Sequence, residues 1–180
     1  MPDWFIEFVK ALWLLIPAYF ANAAPVIAHG HIPVDMKKNW IDRKRIFGDG
    51  KTFEGFVVGV LAGFFAGAVQ IFLLQPQLKI YFDFSSQISD MTLFLAFLIS
   101  FGALIGDLAG SFIKRRFDLP PGTDAPFLDQ LNFIFGAAFF AMWFVQISIE
   151  MFFIMLIITP IVHRLANIFA HKIRIKKVPW

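Results

Sequence analysis

The sequence contains no cysteine. That excludes a disulfide framework and a thiolate metal centre. Charge is scarce: Asp, Glu, Lys and Arg make up 16% of the 180 residues, against about 25% in ordinary soluble domains. No internal repeat or low-complexity stretch is present. No cleavable leader is expected either, because the apolar stretch from Trp4 to His29 is too long for the h-region of a signal peptide. Apolar side chains fill the chain instead, 58% of the total, with 25 Phe and a mean hydropathy of +0.69. A soluble domain of this size could not bury them all. The expected class is all-α, a polytopic integral membrane protein folded as a single transmembrane domain.

Five spans are expected, at about 4–28, 53–75, 91–113, 131–146 and 150–171. A span needs roughly 20 apolar residues. The fourth is short, and the third carries polar residues near its end. Pro17 and Pro160 should kink or break their helices. The run GVLAGFFAGAV, residues 59–69, suits close helix packing. Such faces permit a homodimer without requiring one.

Cations set the sidedness. Residues 29–52 carry Lys37, Lys38, Arg43, Lys44, Arg45 and Lys51, and residues 114–130 open with Lys114, Arg115 and Arg116. The tail holds Lys172, Arg174, Lys176 and Lys177, whereas the opposite loops offer Lys79 alone. The positive-inside rule puts the N-terminus outside and these three regions in the cytoplasm, so the chain is expected in the cell membrane as a multi-pass protein. That side has nucleotides.

Two polar constellations lie there. In RKRIFGDGKTFEG, Gly48 and Gly50 precede the pair Lys51–Thr52 at a helix start. A Gly-rich turn lets backbone N–H groups approach an anion, and the helix N-terminus adds positive charge. A P-loop would need Gly at position 45, which is Arg45. Two readings stand side by side: a phosphate site, or a juxtamembrane loop touching anionic headgroups.

The second constellation is GDLAGSFIKRR, continued by PPGTDAPFLDQLNF. Asp107, Gly110, Ser111 and Lys114 share one helix face by their spacing. Asp129 and Asn132 share another at the start of the fourth span. The Pro- and Gly-rich connection turns the chain back, making the third and fourth spans antiparallel neighbours. Asp107 lies about 10 Å along the helix from Lys114. A carboxylate below the rim costs a few kcal/mol unless paired or metal-bound. A salt bridge between Asp107 and Lys114 is the plain alternative. Hard oxygen ligands beside clustered cations favour instead a site for Mg²⁺ and a polyphosphate, so a Mg-nucleotide.

At these residues the chain resembles a known family. Ser111-Phe112-Ile113-Lys114-Arg115, Pro121-Gly122 and Asp129-Gln130-Leu131-Asn132 resemble the signature of CTP-dependent phosphatidate cytidylyltransferases. YFANAAPVIAHGHIPVD and RKRIFGDGKTFEG look most like blocks of the archaeal branch, the CDP-archaeol synthases. The resemblance runs from about Tyr19 to Phe133. It implies transfer of cytidylyl from CTP to an unsaturated archaeal diether glycerol phosphate, with Mg²⁺, in phospholipid biosynthesis. Its partners would be CTP, that membrane-embedded lipid and the bilayer, with no nucleic acid.

In that scheme Asp107, Asp129 and Lys114 are catalytic, and Asp107, Asp129 and Asn132 hold metal. Asn132 stands where the family commonly has Asp. Arg43, Arg45, Gly48, Gly50, Lys51, Thr52, Gly110, Ser111, Arg115 and Arg116 serve the nucleotide phosphates. Asn22 and Asp35 are candidates for base or ribose contacts. His29 and His31 stand in a turn expected to be more Gly-rich, and read as neutral residues at the headgroup boundary. Two rival classes are a transporter or channel, which would place ionisable groups near the midplane, and a non-catalytic scaffold.

Overall fold

The computed structural model of this chain describes residues 2–81 and 88–174. Lys176 and Lys177 of the cationic tail lie outside the described residues. The described chain is all helix, turn and loop, with only isolated β-bridges at Pro33–Thr52 and Asn39–Arg45. Helix α1 covers Asp3–Ala23 and ends in a 3₁₀ turn, Ala24–Ile27. Helix α2, Phe53–Val69, passes through a π turn, Gln70–Leu74, into α3, Gln75–Tyr81. Then come α4, Leu93–Arg116; α5, Leu128–Ala141; and α6, Ile149–Lys172. Hydroxyl caps start three of them: Thr52, Thr92 and Ser148 accept from the N–H groups of Gly55, Leu95 and Met151.

Among the described residues, four stretches are long and apolar enough to cross a membrane: Asp3–Ile27, Phe53–Tyr81, Leu93–Arg116 and Ile149–Lys172. The expected fourth span, 131–146, differs. Its helix starts earlier, at Leu128, and stops at Ala141. Fourteen residues reach about 21 Å, short of a hydrocarbon core of about 30 Å. Exposed Trp143 and Phe144 follow in a turn, and such aromatics are at home where a bilayer meets water.

Helix α4 is central, packed against α1, α2 and α5, while α6 leans on α1 and α5. Small residues permit the close approach, as the run at 59–69 predicts. A Cβ on Gly63 would overlap Ser100 and the Pro17 carbonyl, and one on Gly106 would overlap the Asn132 carbonyl. Phenylalanines turn outward: Phe65 is 69% exposed and Phe153 58%. That is what a bilayer, unlike water, accepts.

Neither proline breaks its helix; α1 continues through Pro17 and α6 through Pro160. Pro17 has no N–H to offer the Trp13 carbonyl one turn back. Gln70, fully buried at the π turn, supplies the missing donor: its Nε2 lies 2.8 Å from the Trp13 oxygen. Two contacts fix the sense of α6. Ser148 Oγ meets Glu7 Oε2 at 2.5 Å, and the Thr159 and Tyr19 hydroxyls meet at 3.1 Å. Both chains advance in the same direction, so α1 and α6 are parallel. The C-terminal ends of α1, α4 and α6 thus share the end of the bundle that carries the 29–52 loop.

Candidate active site

The 29–52 loop is built around Asp35, whose side chain is 0% exposed. Its Oδ1 accepts from Lys37 N at 3.0 Å and Arg45 Nη2 at 2.8 Å. Its Oδ2 accepts from Arg45 Nε at 3.2 Å, Phe47 N at 3.0 Å and Gly48 N at 2.9 Å. Burial by itself would raise this carboxyl's pKa. The Arg45 guanidinium and the backbone donors of Gly48, Phe47 and Lys37 outweigh it and hold the group well below the usual carboxylate range. Arg45 is held above its ordinary value in turn, first by Asp35 and then by Asp49.

The loop is clamped to the end of α4. Arg116 reaches Asp42 at 2.7 Å, donates to the Arg45 carbonyl at 2.6 Å, and lies 4.4 Å over the Phe112 ring. Lys44 answers with the Arg116 carbonyl at 3.1 Å and Asp118 at 2.7 Å. Nothing in the sequence pairs these residues: Lys44 and Arg116 are 72 positions apart.

Next to this clamp, two ion pairs stand between elements. Lys51 Nζ lies 2.5 Å from Asp107 Oδ2, joining the loop to α4. Lys114 Nζ lies 2.9 Å from both oxygens of Asp129 and 2.7 Å from the Thr123 carbonyl, joining α4 to the start of α5. The salt bridge between Asp107 and Lys114 considered from spacing is therefore replaced by two cross-element pairs. The reason is distance: seven residues of helix separate those two groups by about 10 Å, whereas the loop and α5 bring nearer partners.

Four buried donors in the same region have no hydrogen-bond acceptor: Arg115 Nε, Asn132 Nδ2, and Nε and Nη1 of Arg116, whose guanidinium is ion-paired with Asp42. Arg115 is 8% exposed, and its Nε is buried without a hydrogen bond. Asn132 is also 8% exposed, and its Nδ2 is likewise unmatched. Unsatisfied buried donors are rare and call for an acceptor. Gly110 is needed beside Asn132, because a Cβ there would overlap its Nδ2. Gly48 takes φ +101°, open to glycine, and a Cβ there would lie 4.0 Å from Arg115 Nη1.

The structure thus gathers Gly48, Lys51, Asp107, Gly110, Lys114, Arg115, Asp129 and Asn132 where the loop, α4 and α5 meet, with Ser111 buried on the same α4 face. It corrects others. Asp35 does not present itself to a nucleotide; it is saturated inside the loop. Arg45 and Arg116 hold the clamp, through Asp35 and Asp49 and through Asp42 and the Arg45 carbonyl, while Arg116 Nη1 stays unmatched. Thr52 caps α2 through its hydroxyl. Arg43 and Gly50 stand exposed, and Asn22 is half-buried in the last turn of α1. Gly48 N–H, expected to face an anion, goes to Asp35. Asn132 turns its oxygen back to the Phe133 N–H at 2.6 Å, which leaves its Nδ2 as the unmatched group.

Among the described residues no three His, Asp or Glu side chains gather to cage a metal. Asp107 and Asp129 each face an ammonium instead, a monovalent cation standing where a divalent one could bind. Mg²⁺ is commonly held by one or two carboxylates, with substrate phosphates completing the shell. The residues fit Mg²⁺ in that sense, as a half-site.

The CDP-archaeol synthase (CarS-like) family model matches residues 5–180. A CDP-archaeol synthase of Pyrococcus horikoshii is 45% identical over 97% of this chain and 98% of its own. One of Methanocaldococcus jannaschii is 43% identical over 94% of this chain and 96% of its own. A solved intramembrane enzyme of archaeal membrane lipid biosynthesis superposes with a TM-score of 0.76 at 35% identity, over 89% of this chain and 94% of that one. The chain belongs to the CDP-archaeol synthase family, and it is a membrane-embedded, CTP-dependent cytidylyltransferase.

Proposed function

We propose that this member of the family moves cytidylyl from CTP to the phosphate of an unsaturated archaeal diether glycerol phosphate, forming CDP-archaeol and pyrophosphate. An oxygen of the lipid phosphate attacks the α-phosphorus, and the bond from that phosphorus to the β-phosphate oxygen breaks. The attacking phosphate is already anionic at pH 7, so positioning and charge neutralisation carry the rate. Mg²⁺ beside Asp107 and Asp129 would neutralise phosphate charge and favour departure of pyrophosphate. Arg115 holds a phosphate oxygen, Lys51 and Lys114 offer ammonium charge, and Gly110 leaves room for Asn132 to donate.

The observation that carries this reading is a set of buried, unmatched donors, Arg115 Nε and Asn132 Nδ2 with Arg116 Nη1 close by in the chain, beside two carboxylate–ammonium pairs. Donors wanting an acceptor mark an anion site, and carboxylates among them mark a cation to go with it. All of this sits at one end of an apolar bundle, where a lipid phosphate can arrive with its chains still in the bilayer. We assign that end to the cytoplasmic side of the cell membrane because it carries the cationic loop and the end of α4. Five crossings, with α5 and its aromatic turn as the short fourth, agree with the parallel packing of α1 and α6.

The test is pyrophosphate release by purified protein in detergent, given CTP, Mg²⁺ and the unsaturated diether phosphate. Release that needs the lipid and stops with EDTA is expected. Absence of release from folded protein, with every nucleotide tried, would sink the reading.

A further inference from the structure

The two lysine–aspartate pairs have a consequence for how the site fills. Lys114 spends all three of its protons, on the Thr123 carbonyl and both Asp129 oxygens. Lys51 is committed to Asp107. These groups are partly shielded: side-chain exposure is 29% for Lys51, 21% for Asp107, 10% for Lys114 and 27% for Asp129. Charges so placed interact more strongly than they would in bulk water.

A divalent cation arriving alone must displace an ammonium and leave it shielded without a counter-charge. A polyphosphate arriving alone must strip a lysine from its carboxylate, with the same fault reversed. Breaking one side of a shielded pair is costly because the other charge is left uncompensated. A cation and a nucleotide arriving together remove both faults: the carboxylates turn to the cation and the ammoniums to the phosphates. Arg115 needs no such exchange, because its Nε has no partner to give up.

We propose that Lys51 and Lys114 are exchangeable counter-ions that make the site accept divalent cation and nucleotide as a pair and neither alone. The inference rests on the reading of this site as one for a metal–nucleotide. Lys51 is the principal mover. It comes from a loop and has one partner, whereas Lys114 is also tied to the Thr123 carbonyl on the turn before α5. The lysines therefore both bind phosphate and keep free metal out.

Binding of Mn²⁺ tests this without turnover. Paramagnetic resonance counts unbound Mn²⁺ over the full-length protein in detergent, corrected for the Mn²⁺–CTP complex formed without protein. Wild type should take Mn²⁺ weakly alone and at least about tenfold more tightly with CTP. Lys51→Met should raise nucleotide-free Mn²⁺ affinity about tenfold and shrink the gain from CTP. Lys114→Met should act in the same direction, and it keeps the test decisive if the first variant does not fold. Lys79→Met, removing a cation from the remote exposed pair with Asp90, should bind as wild type does. If CTP tightens Mn²⁺ but both lysine variants match wild type without nucleotide, the exchange is overturned and the transferase reading stands. If labelled CTP fails to bind by dialysis with or without Mn²⁺, both fall together.

Discussion

The loop core around Asp35 and the α4 face from Asp107 to Arg115 use the same residue types to opposite ends. In the loop core, the charges around Asp35 are each tied to several partners. Asp35 has five donors, Arg45 two carboxylates, and Arg116 a carboxylate, a carbonyl and a ring. On α4 the charges are paired but replaceable, and Arg115 is buried with an unmatched nitrogen. A saturated carboxylate stabilises a fold; Asp107, which faces only Lys51, and Asp129, which holds Lys114 and the Ala125 N–H, can exchange their lysines for a ligand. Arginine alone says neither. Arg115 and Arg116 are neighbours in the chain, yet Arg116 is ion-paired with Asp42 and bonded to the Arg45 carbonyl, whereas Arg115 Nε has no partner.

That contrast can be broken from either side. The largest effect should come from Asp107→Asn or Asp129→Asn. Each should cut pyrophosphate release by about 10³-fold, the scale of losing a group that stabilises transition-state charge. Arg115→Gln should lower kcat/KM for CTP by about 10²-fold, in a folded protein, because it gives up no hydrogen bond that its Nε makes. Should Arg115→Gln lower the melting temperature while leaving CTP binding intact, the distinction between the two regions is wrong.

On the structural side, Arg45→Ala should cost about 2–3 kcal/mol of loop stability by leaving Asp35 buried without its counter-charge. Proteolysis within residues 33–48 should report it before any change in the α-helical signal. A methyl added by Gly106→Ala, which would overlap the Asn132 carbonyl, should cost about 1–3 kcal/mol, read as a lower melting temperature in detergent. The smallest effect concerns acid. Asp35 has its pKa depressed in the folded state, so its contribution is complete above the ordinary carboxylate value, near 4. It erodes as pH falls from there through the depressed folded value. Amide exchange at Phe47 and Gly48 should stay slow down to about pH 4 and quicken below it, and Asp35→Asn should be fast throughout.

Much was legible in the chain before any coordinate. Long apolar runs gave α1, α2, α4 and α6 to within a few residues, apart from the extension of the second span through α3 to Tyr81. The fourth span slipped, because hydropathy continues through Met142, Trp143 and Phe144 while the helix does not. Helical spacing put Asp107, Gly110, Ser111 and Lys114 on one face, and the turn-rich linker brought α5 back against α4. Pro17 read as a kink or a break because its remedy, Gln70, lies 57 positions from the Trp13 carbonyl it serves.

The sequence by itself determined the membrane class, the gathering of charge at one end, and the residue types of the site. Composition and periodicity act locally, and a bilayer rewards them span by span. Tertiary structure alone decided which charges remain usable. Asp35 became a keystone and Asn132 a donor. Lys51 and Lys114 found carboxylates on other elements. An ion pair forms between groups that the fold brings within a few ångströms, and no spacing along one helix records where a distant loop will come to rest.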